Sequence, residues 1–443
     1  MPATATRTSA PTRTRASGRG RPRTAGPLAT LWRRLEGPRM LDLSTVLIAG
    51  STAVLTVLGL TMVLSSSSVE AIGTSAGSYG LFQRQGMWAL VGIAVLVGLT
   101  FTPLRWLKAL AWPALGLAGL LLALVAFTPL GVEVNGNRNW LDIAGFRAQP
   151  SEAAKLALAL WSAAVLERKG RLITQVPHAL LPVLPVGGLL IALVMVGSDL
   201  GTVIILASIL GVVLFIAGTN RRVFWAFAAV VGVGGALMTL LAGHRLVRVR
   251  AWMGDCSDAS DPCFQPSHGI DALASGGWLG QGLGGSRQKW SYIPEAENDF
   301  IFTILGEEMG LLGTLAVLVA FAALAVGMYR VASGTHSTFI RLTTWGILMW
   351  LVGQAFVNIA MVTRLLPVIG VPLPFISYGG SALTLALAGV GVVLSFARHE
   401  RRRAAETGPD APPSDIGEED ADTAPLPLVR GTGPVPTRPE ESR

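Results

Sequence analysis

The chain has 443 residues, of which 51% are hydrophobic and only 14% charged, with a mean hydropathy of +0.54, whereas a soluble domain carries roughly 25% charged residues. That composition excludes a water-soluble globular protein. A bilayer crossing uses about 20 mainly apolar residues, so the length admits about ten helices plus tails. The net charge of +8 implies no nucleic-acid partner: nine Arg against the single acid Glu36 place all of it in residues 1–39, while residues 40–397 hold 19 Lys/Arg against 16 Asp/Glu.

In chain order, residues 1–42 read as a basic, disordered cytoplasmic tail lying against anionic membrane lipids. They contain no short apolar core with a cleavage site, so no removable signal peptide is expected. Apolar runs of spanning length follow at 43–64, 84–101, 109–130, 151–166, 179–197, 201–218, 223–243, 299–327, 342–363 and 377–397. The expected fold is thus an all-α integral membrane domain over 43–397 with ten transmembrane helices. Placing both termini in the cytoplasm puts 25 of the 35 Lys/Arg inside, as the positive-inside bias requires, and exports the long loop 244–298 between helices 7 and 8. Residues 398–443, rich in Pro, Asp and Glu, read as a second disordered cytoplasmic tail.

The only cysteines, Cys256 and Cys263, fall in the exported loop, where a disulfide is favoured over two free thiols. Without a Cys/His quartet, metal binding is not indicated there.

Polar residues inside apolar runs mark candidate sites, because a mid-membrane carboxylate costs at least about 2.5 kcal/mol unless it faces a cavity or a partner. Asp199, in Gly-Ser-Asp-Leu-Gly-Thr, divides a 40-residue apolar run. It either caps the following helix or stands at the floor of an outward cavity. Glu152 and Lys155 can pair at i,i+3 on one helix, and Arg138 and Arg147 lie on the outer side, where an anionic headgroup can meet them. The densest stretch runs from Ser275 to Gly310. Six glycines within 276–285 let the backbone approach a ligand or a neighbouring helix, without the P-loop pattern. Arg287 and Lys289 add cationic donors. Pro294 suits the first turn of the eighth helix, which would put Glu295 and Asp299 one turn apart on one face. Capping is the plain reading of Asp299. Glu307 and Glu308, deeper in that helix, are expected to satisfy neighbouring helices.

Four motifs in order, NGNRNW…QPSEAAK, SDLGT, YIPEAENDFIFTILGEEMG and GQAFVNIAMVTRLLPVIGVPLPFISYGGSAL, resemble the SEDS family of shape, elongation, division and sporulation proteins across residues 43–397. The PEA form and the long tail look more like the division branch than the elongation branch. The resemblance implies a ten-helix peptidoglycan glycosyltransferase that polymerises the lipid-linked disaccharide-pentapeptide lipid II. It also implies an essential acid at Asp299 and a class B penicillin-binding transpeptidase as partner beside other division proteins. The sequence departs from the family pattern at Asn139, where Arg commonly precedes the Trp, and at Gly197-Ser198-Asp199, where Gln-Pro-Asp is common. Roles for Arg138 and Asp199 stay open for that reason.

For such a reaction Asp299 has the chemistry of a base, and Arg287, Lys289 and Arg138 that of phosphate donors. Glu295, Lys155 and Asp199 complete the candidate substrate site. No cofactor is indicated with certainty by the sequence. A divalent cation, Mg or Mn, is an optional aid to the departing pyrophosphate, and no ligand set for it stands out. A lipid flippase or a non-catalytic division scaffold are the rival readings, although the richest polar cluster sits at the outer surface rather than at the midplane. Single-cysteine variants labelled from outside the cell should react at Ile270 and not at Ala10 or Asp420; labelling of either tail would reverse the orientation.

Overall fold

A computed structural model describes residues 39–70, 79–134, 136–143, 146–175, 181–241, 243–254, 263–288 and 297–406. The helices are α1 (Arg39–Glu70), α2 (Gly80–Phe101), α3 (Leu104–Phe127), α4 (Pro150–Lys169), α5 (Val183–Val196), α6 (Leu200–Ile216), α7 (Arg221–Leu241), α8 (Gly243–Trp252), α9 (Phe264–Ser275), α10 (Ile301–Gly334), α11 (Thr338–Leu348), α12 (Gln354–Val362) and α13 (Gly380–Glu406). Each expected apolar run overlaps at least one helix. Among the described residues, seven helical spans are long and apolar enough to cross a membrane, α11 and α12 forming one of them. They make the chain a multi-pass membrane protein. α5 and α6 are shorter, at 14 and 17 residues. α4 is long enough but carries Glu152, Lys155, Glu167, Arg168 and Lys169.

That charge is tolerable because α4 is central. Its residues are buried almost continuously from Pro150 to Leu166, and it packs against α3, α11 and α6. α6 is likewise buried on nearly all sides. Around this pair, α13 packs on α2 and α1, and α10 on α1. The outer helices turn apolar faces outward, as Leu90, Val97, Leu117 and Val230 show, which suits hydrocarbon rather than water.

The all-α expectation is corrected between α3 and α4, where β1 (Gly131–Val134), β2 (Asn137–Ile143) and β3 (Phe146–Ala148) form an antiparallel sheet. Val134 pairs with Asn137, and Gly136, ahead of Asn137, has φ of 79°. Asn-Gly is the strongest short hairpin signal. Leu141 pairs with Gly131 on one side and Ala148 on the other.

α10 is broken at Gly310, where φ is 65° and ψ −163°. A helix break strands carbonyls before it and N–H groups after it, and here the glycine-rich segment 276–285 supplies the missing partners. Gln281 and Gly282 donate their N–H groups to Glu307 O and Glu308 O at 2.9 and 3.0 Å, while Leu311 and Leu312 donate to Gly277 O and Trp278 O at 2.9 and 3.3 Å. Gly280 makes this approach possible, since its φ is 78° and a Cβ there would lie 2.2 Å from Glu308 O. The adjacent carboxylates hold the rest of the segment. Glu307 accepts from Ser286 Oγ and from the N–H groups of Arg287 (3.0 Å) and Gln288 (3.4 Å), and Glu308 accepts from Ser65 Oγ of α1 at 2.6 Å.

Gly280→Ala must therefore displace backbone, and should cost at least about 2 kcal/mol through strain and overpacking. Gly282→Ala meets nothing within 4 Å and should cost only about 1–2 kcal/mol for its left-handed φ. Thermal unfolding of the two variants in detergent checks the order.

Candidate active site

Asp299 and Asp199 lie at the end of the bundle that carries the sheet. Asp299 stands on a short turn, 297–300, ahead of α10. The helix begins at Ile301 with Phe300 at its capping position, later than the Pro294 start expected from sequence. Its main chain is engaged by tertiary partners instead of by helix: Asn358 of α12 donates Nδ2 to Asp299 O at 2.9 Å, and Tyr378 donates its N–H to Glu297 O at 2.9 Å. The turn 297–300 is thus held from both sides. The expected helical pairing of Glu295 with Asp299 falls outside the described residues. Glu295 and Lys289 themselves lie outside the described residues.

The Asp299 carboxylate faces the loop 363–379. A Cβ on Gly370 would lie 3.3 Å from Asp299 Oδ2. The same Asn358 Nδ2 donates to Val371 O at 2.6 Å, so one amide ties the acid's backbone to the loop beside it. On its other side the loop packs on the N-terminus of α6: a Cβ on Gly201 would lie 2.7 Å from both Ile369 O and Val371 Cγ2. Ile369 to Val371 therefore form a wall with Asp299 on one side and the Asp199 turn on the other.

Asp199 is the capping residue of α6. It is buried and accepts from Thr202 N (2.9 Å), Thr202 Oγ1 (2.8 Å), Asn139 Nδ2 (2.9 Å) and Gln149 Nε2 (3.3 Å). Four donors occupy the carboxylate, and Asn139, the residue that departs from the family pattern, is one of them. Of the two readings open from sequence, the cap is realised, although the residue also borders a cavity. That cavity, about 330 Å³, lies between α6, α7, α8 and the wall loop, and Val368 and Ile369 line it together with Asp199, Arg245 and Arg248. Most of the lining is apolar, contributed by residues such as Leu200, Ile204, Val231 and Val249. Arg245 also donates Nη2 to Ser198 O at 2.7 Å.

The other expected cations have different places. Arg138 donates Nη2 to Thr128 O at the end of α3 and its N–H to Gly197 O at 2.9 Å, so it joins the sheet to α3 and α5. Arg147 pairs with Asp142 at 3.1 Å on the sheet. Lys155 is buried in the core, paired with Glu152 at 2.7 Å and donating to Gln354 Oε1 at 2.9 Å, away from the cavity. Arg287 anchors its loop through its N–H and leaves its side chain exposed. Cys263 is disulfide-bonded, and Cys256, the only other cysteine in the chain, lies outside the described residues.

Sequence reasoning passed over Asn358, Arg245, Arg248, Arg84 and Tyr378. An Asn within an apolar helix and two Arg at i,i+3 on the short α8 were the available signals. Tyr378 sits beside the Glu297 turn, and Arg84 donates to its phenol oxygen. Burial pushes this phenol above its ordinary value, Arg84 works against that push, and Glu297 adds to it. The group stays a neutral hydroxyl at working pH.

The family described as cell cycle protein, the FtsW, RodA and SpoVE group, matches residues 45–402. The probable peptidoglycan glycosyltransferase FtsW of Mycobacterium tuberculosis is 37% identical over 354 residues, which cover 80% of this chain and 68% of that one. Among solved structures, a chain of a peptidoglycan synthase complex that coordinates polymerization and crosslinking aligns with a TM-score of 0.64 at 29% identity, covering 79% of this chain and 96% of its own. The rod shape determining protein RodA of Thermus thermophilus aligns with a TM-score of 0.59 at 29% identity, covering 79% and 95%.

Asp199→Ala removes the cap and leaves Asn139 and Thr202 without their acceptor, which should destabilise the fold by about 3 kcal/mol. Asp199→Asn retains one carbonyl oxygen and should cost about 1 kcal/mol. Thermal unfolding in detergent separates them; equal melting temperatures for both variants and wild type would remove the structural role.

Proposed function

The chain belongs to the SEDS family of cell cycle proteins, and from that premise we propose that it is a peptidoglycan glycosyltransferase of the division type that polymerises lipid II. The observation that carries this reading is the placement of Asp299 and the arginine-bearing apolar cavity on two sides of one wall, Ile369 to Val371. The reaction joins a sugar hydroxyl to the anomeric carbon of a lipid-linked sugar while undecaprenyl pyrophosphate departs. It needs a base at the hydroxyl, cations at the pyrophosphate and an apolar seat for the lipid.

In this reading Asp299 takes the proton from the acceptor hydroxyl. The hydroxyl oxygen then attacks the anomeric carbon from the face opposite the pyrophosphate, and the bond to the leaving oxygen breaks, so a single displacement inverts the centre. One carboxylate suffices because the leaving group is already stable, unlike the paired carboxylates of glycoside hydrolases. Asn358 acts as a positioning residue, since it fixes the backbone of the base and of the facing wall with the same amide. Arg245 and Arg248 receive the pyrophosphate, with Arg287 and Lys289 as further donors from the glycine-rich loop. The apolar face of the cavity takes the first isoprene units.

The topology proposed with it has ten crossings, α4, α5 and α6 included, with the sheet end outside and both tails in the cytoplasm. Loop 244–298 then lies outside the membrane. The partner is a class B penicillin-binding transpeptidase, which would cross-link the new strand at the division septum. The mycobacterial relative, 37% identical and named for the division protein, favours the division branch over the elongation branch represented by the 29% identical RodA.

Purified Asp299→Asn with its transpeptidase partner tests the base. Asn is nearly isosteric, so the variant should melt near the wild-type temperature and retain the partner, while polymerisation of lipid II falls by about 10²–10⁴-fold. Activity above about a tenth of wild type would remove Asp299 from the role of base.

A further inference from the structure

A second basic pocket lies at the opposite end of the bundle, remote from the glycosyl-transfer site. It has a volume of about 280 Å³ and is bounded by the end of α2, the α2–α3 turn and the last apolar turn of α13. Arg105, Arg398, His399 and Arg402 line it, with Thr100 and Thr102 as polar neighbours, and no acidic residue is among its lining. We propose that this pocket binds the phosphodiester headgroup of an anionic phospholipid of the inner leaflet.

Three features argue for a lipid rather than a soluble anion. The first is depth. The apolar stretch of α13 ends at Ala397 and the basic run begins at Arg398, so the pocket sits where hydrocarbon gives way to headgroups. The second is access from the side, since the spanning windows of α2 and α3 are only 17% and 28% buried within the protein. Phe101, in the pocket lining, is 62% exposed, and Trp106, next in the chain to the lining residue Arg105, is 55% exposed; aromatic rings are enriched at this level of a bilayer. The third is preorganisation. Arg398 is stacked over the Phe101 ring at 4.4 Å, and Ser395 donates Oγ to Thr102 O at 2.7 Å, which locks α13 to the α2–α3 turn. The one acid in the adjoining basic run that lies in the core, Glu400, is turned away and accepts from Thr335 Oγ1 at 2.8 Å.

The space is far larger than the roughly 30 Å³ share of one water molecule and admits a glycerophosphate head. Basic pockets between membrane helices on the cytoplasmic side have the chemistry to hold such heads. The chain's own C-terminal segment, with Asp410, Asp415, Glu418, Glu419, Asp420 and Asp422, is the competing anion, but it lacks the acyl chains that the lateral opening and exposed aromatics favour.

Native mass spectrometry of the full-length protein, delipidated and then given phosphatidylglycerol or phosphatidylcholine, tests this independently of any polymerase activity. Wild type should retain phosphatidylglycerol in preference. Arg398→Gln/Arg402→Gln should weaken that retention by roughly 30-fold, the effect of removing two charges at a bilayer surface, while Arg250→Gln at the other end should not. Because Arg398 packs on Phe101, the exposed pair Arg105→Gln/Arg402→Gln serves as a second variant and should lose retention to a similar degree. Equal retention of the two lipids by wild type, unchanged retention in both double variants, or full displacement by inorganic phosphate would overturn the proposal. So would binding of a peptide of residues 410–422 that depends on these arginines when no lipid preference exists, since the tail would then be the occupant.

Discussion

In hydrocarbon no water is available to a main-chain N–H or C=O, so each must find its partner inside the protein. The non-helical backbone of this protein is arranged around that constraint. α10 can break at Gly310 only because the 276–285 segment returns two N–H groups and two carbonyls to the stranded helix ends. The turn 297–300 can leave the helix because Asn358 and Tyr378 take its carbonyls. The wall loop can carry Gly370 at a left-handed φ because Asn358 and the α6 terminus hold either side of it. Irregular backbone tied down in this way, at the end of the bundle that carries the sheet, makes the proposed site.

Charge obeys a parallel rule. Lys155 and Glu152 are buried within the central helix and complete each other, with Gln354 as a third partner. Removing one member would strand a buried charge, whereas the pair together is tolerated. Glu307 and Glu308 are satisfied by loop N–H groups and serine hydroxyls, and Asp199 by four donors. Most of the acids that look anomalous in an apolar chain are therefore structural, each holding an irregular segment against a helix. Asp299 differs in position: it is on a turn, intermediate in exposure, and faces the wall loop.

The proposed site belongs to no single element. Its acid precedes α10, its positioning amide is on α12, its wall is the loop before α13, and its arginines are on α8. Glycosyl transfer to a lipid-linked sugar asks for such a junction, since the sugar works at the water boundary while the lipid stays in the bilayer. The arrangement also explains why Asn139 can stand where the family commonly has Arg. Here the position serves the Asp199 cap, and a cation next to Asp199 is supplied by Arg245 through Ser198 O.

The sequence by itself determined the membrane class, the helical runs and the importance of the 275–310 stretch, because hydropathy and composition are local properties and a bilayer reads them directly. It also contained the Asn135-Gly136 hairpin signal, which an all-α expectation passed over. Only the tertiary structure decided which polar residues share a site. Arg138 and Lys155 are spaced like ligands but are engaged by Thr128 O and Glu152, while Arg245 and Arg248, unremarkable in a long loop, meet the Asp199 turn. The start of α10 was also a tertiary matter. Proline and charge spacing favoured an early start, but carbonyls taken by Asn358 and Tyr378 cannot also accept the next helical turn's N–H groups in the same geometry. Partners far apart in the chain compete for backbone groups and side-chain charge, and that competition is settled by packing, which no local pattern encodes.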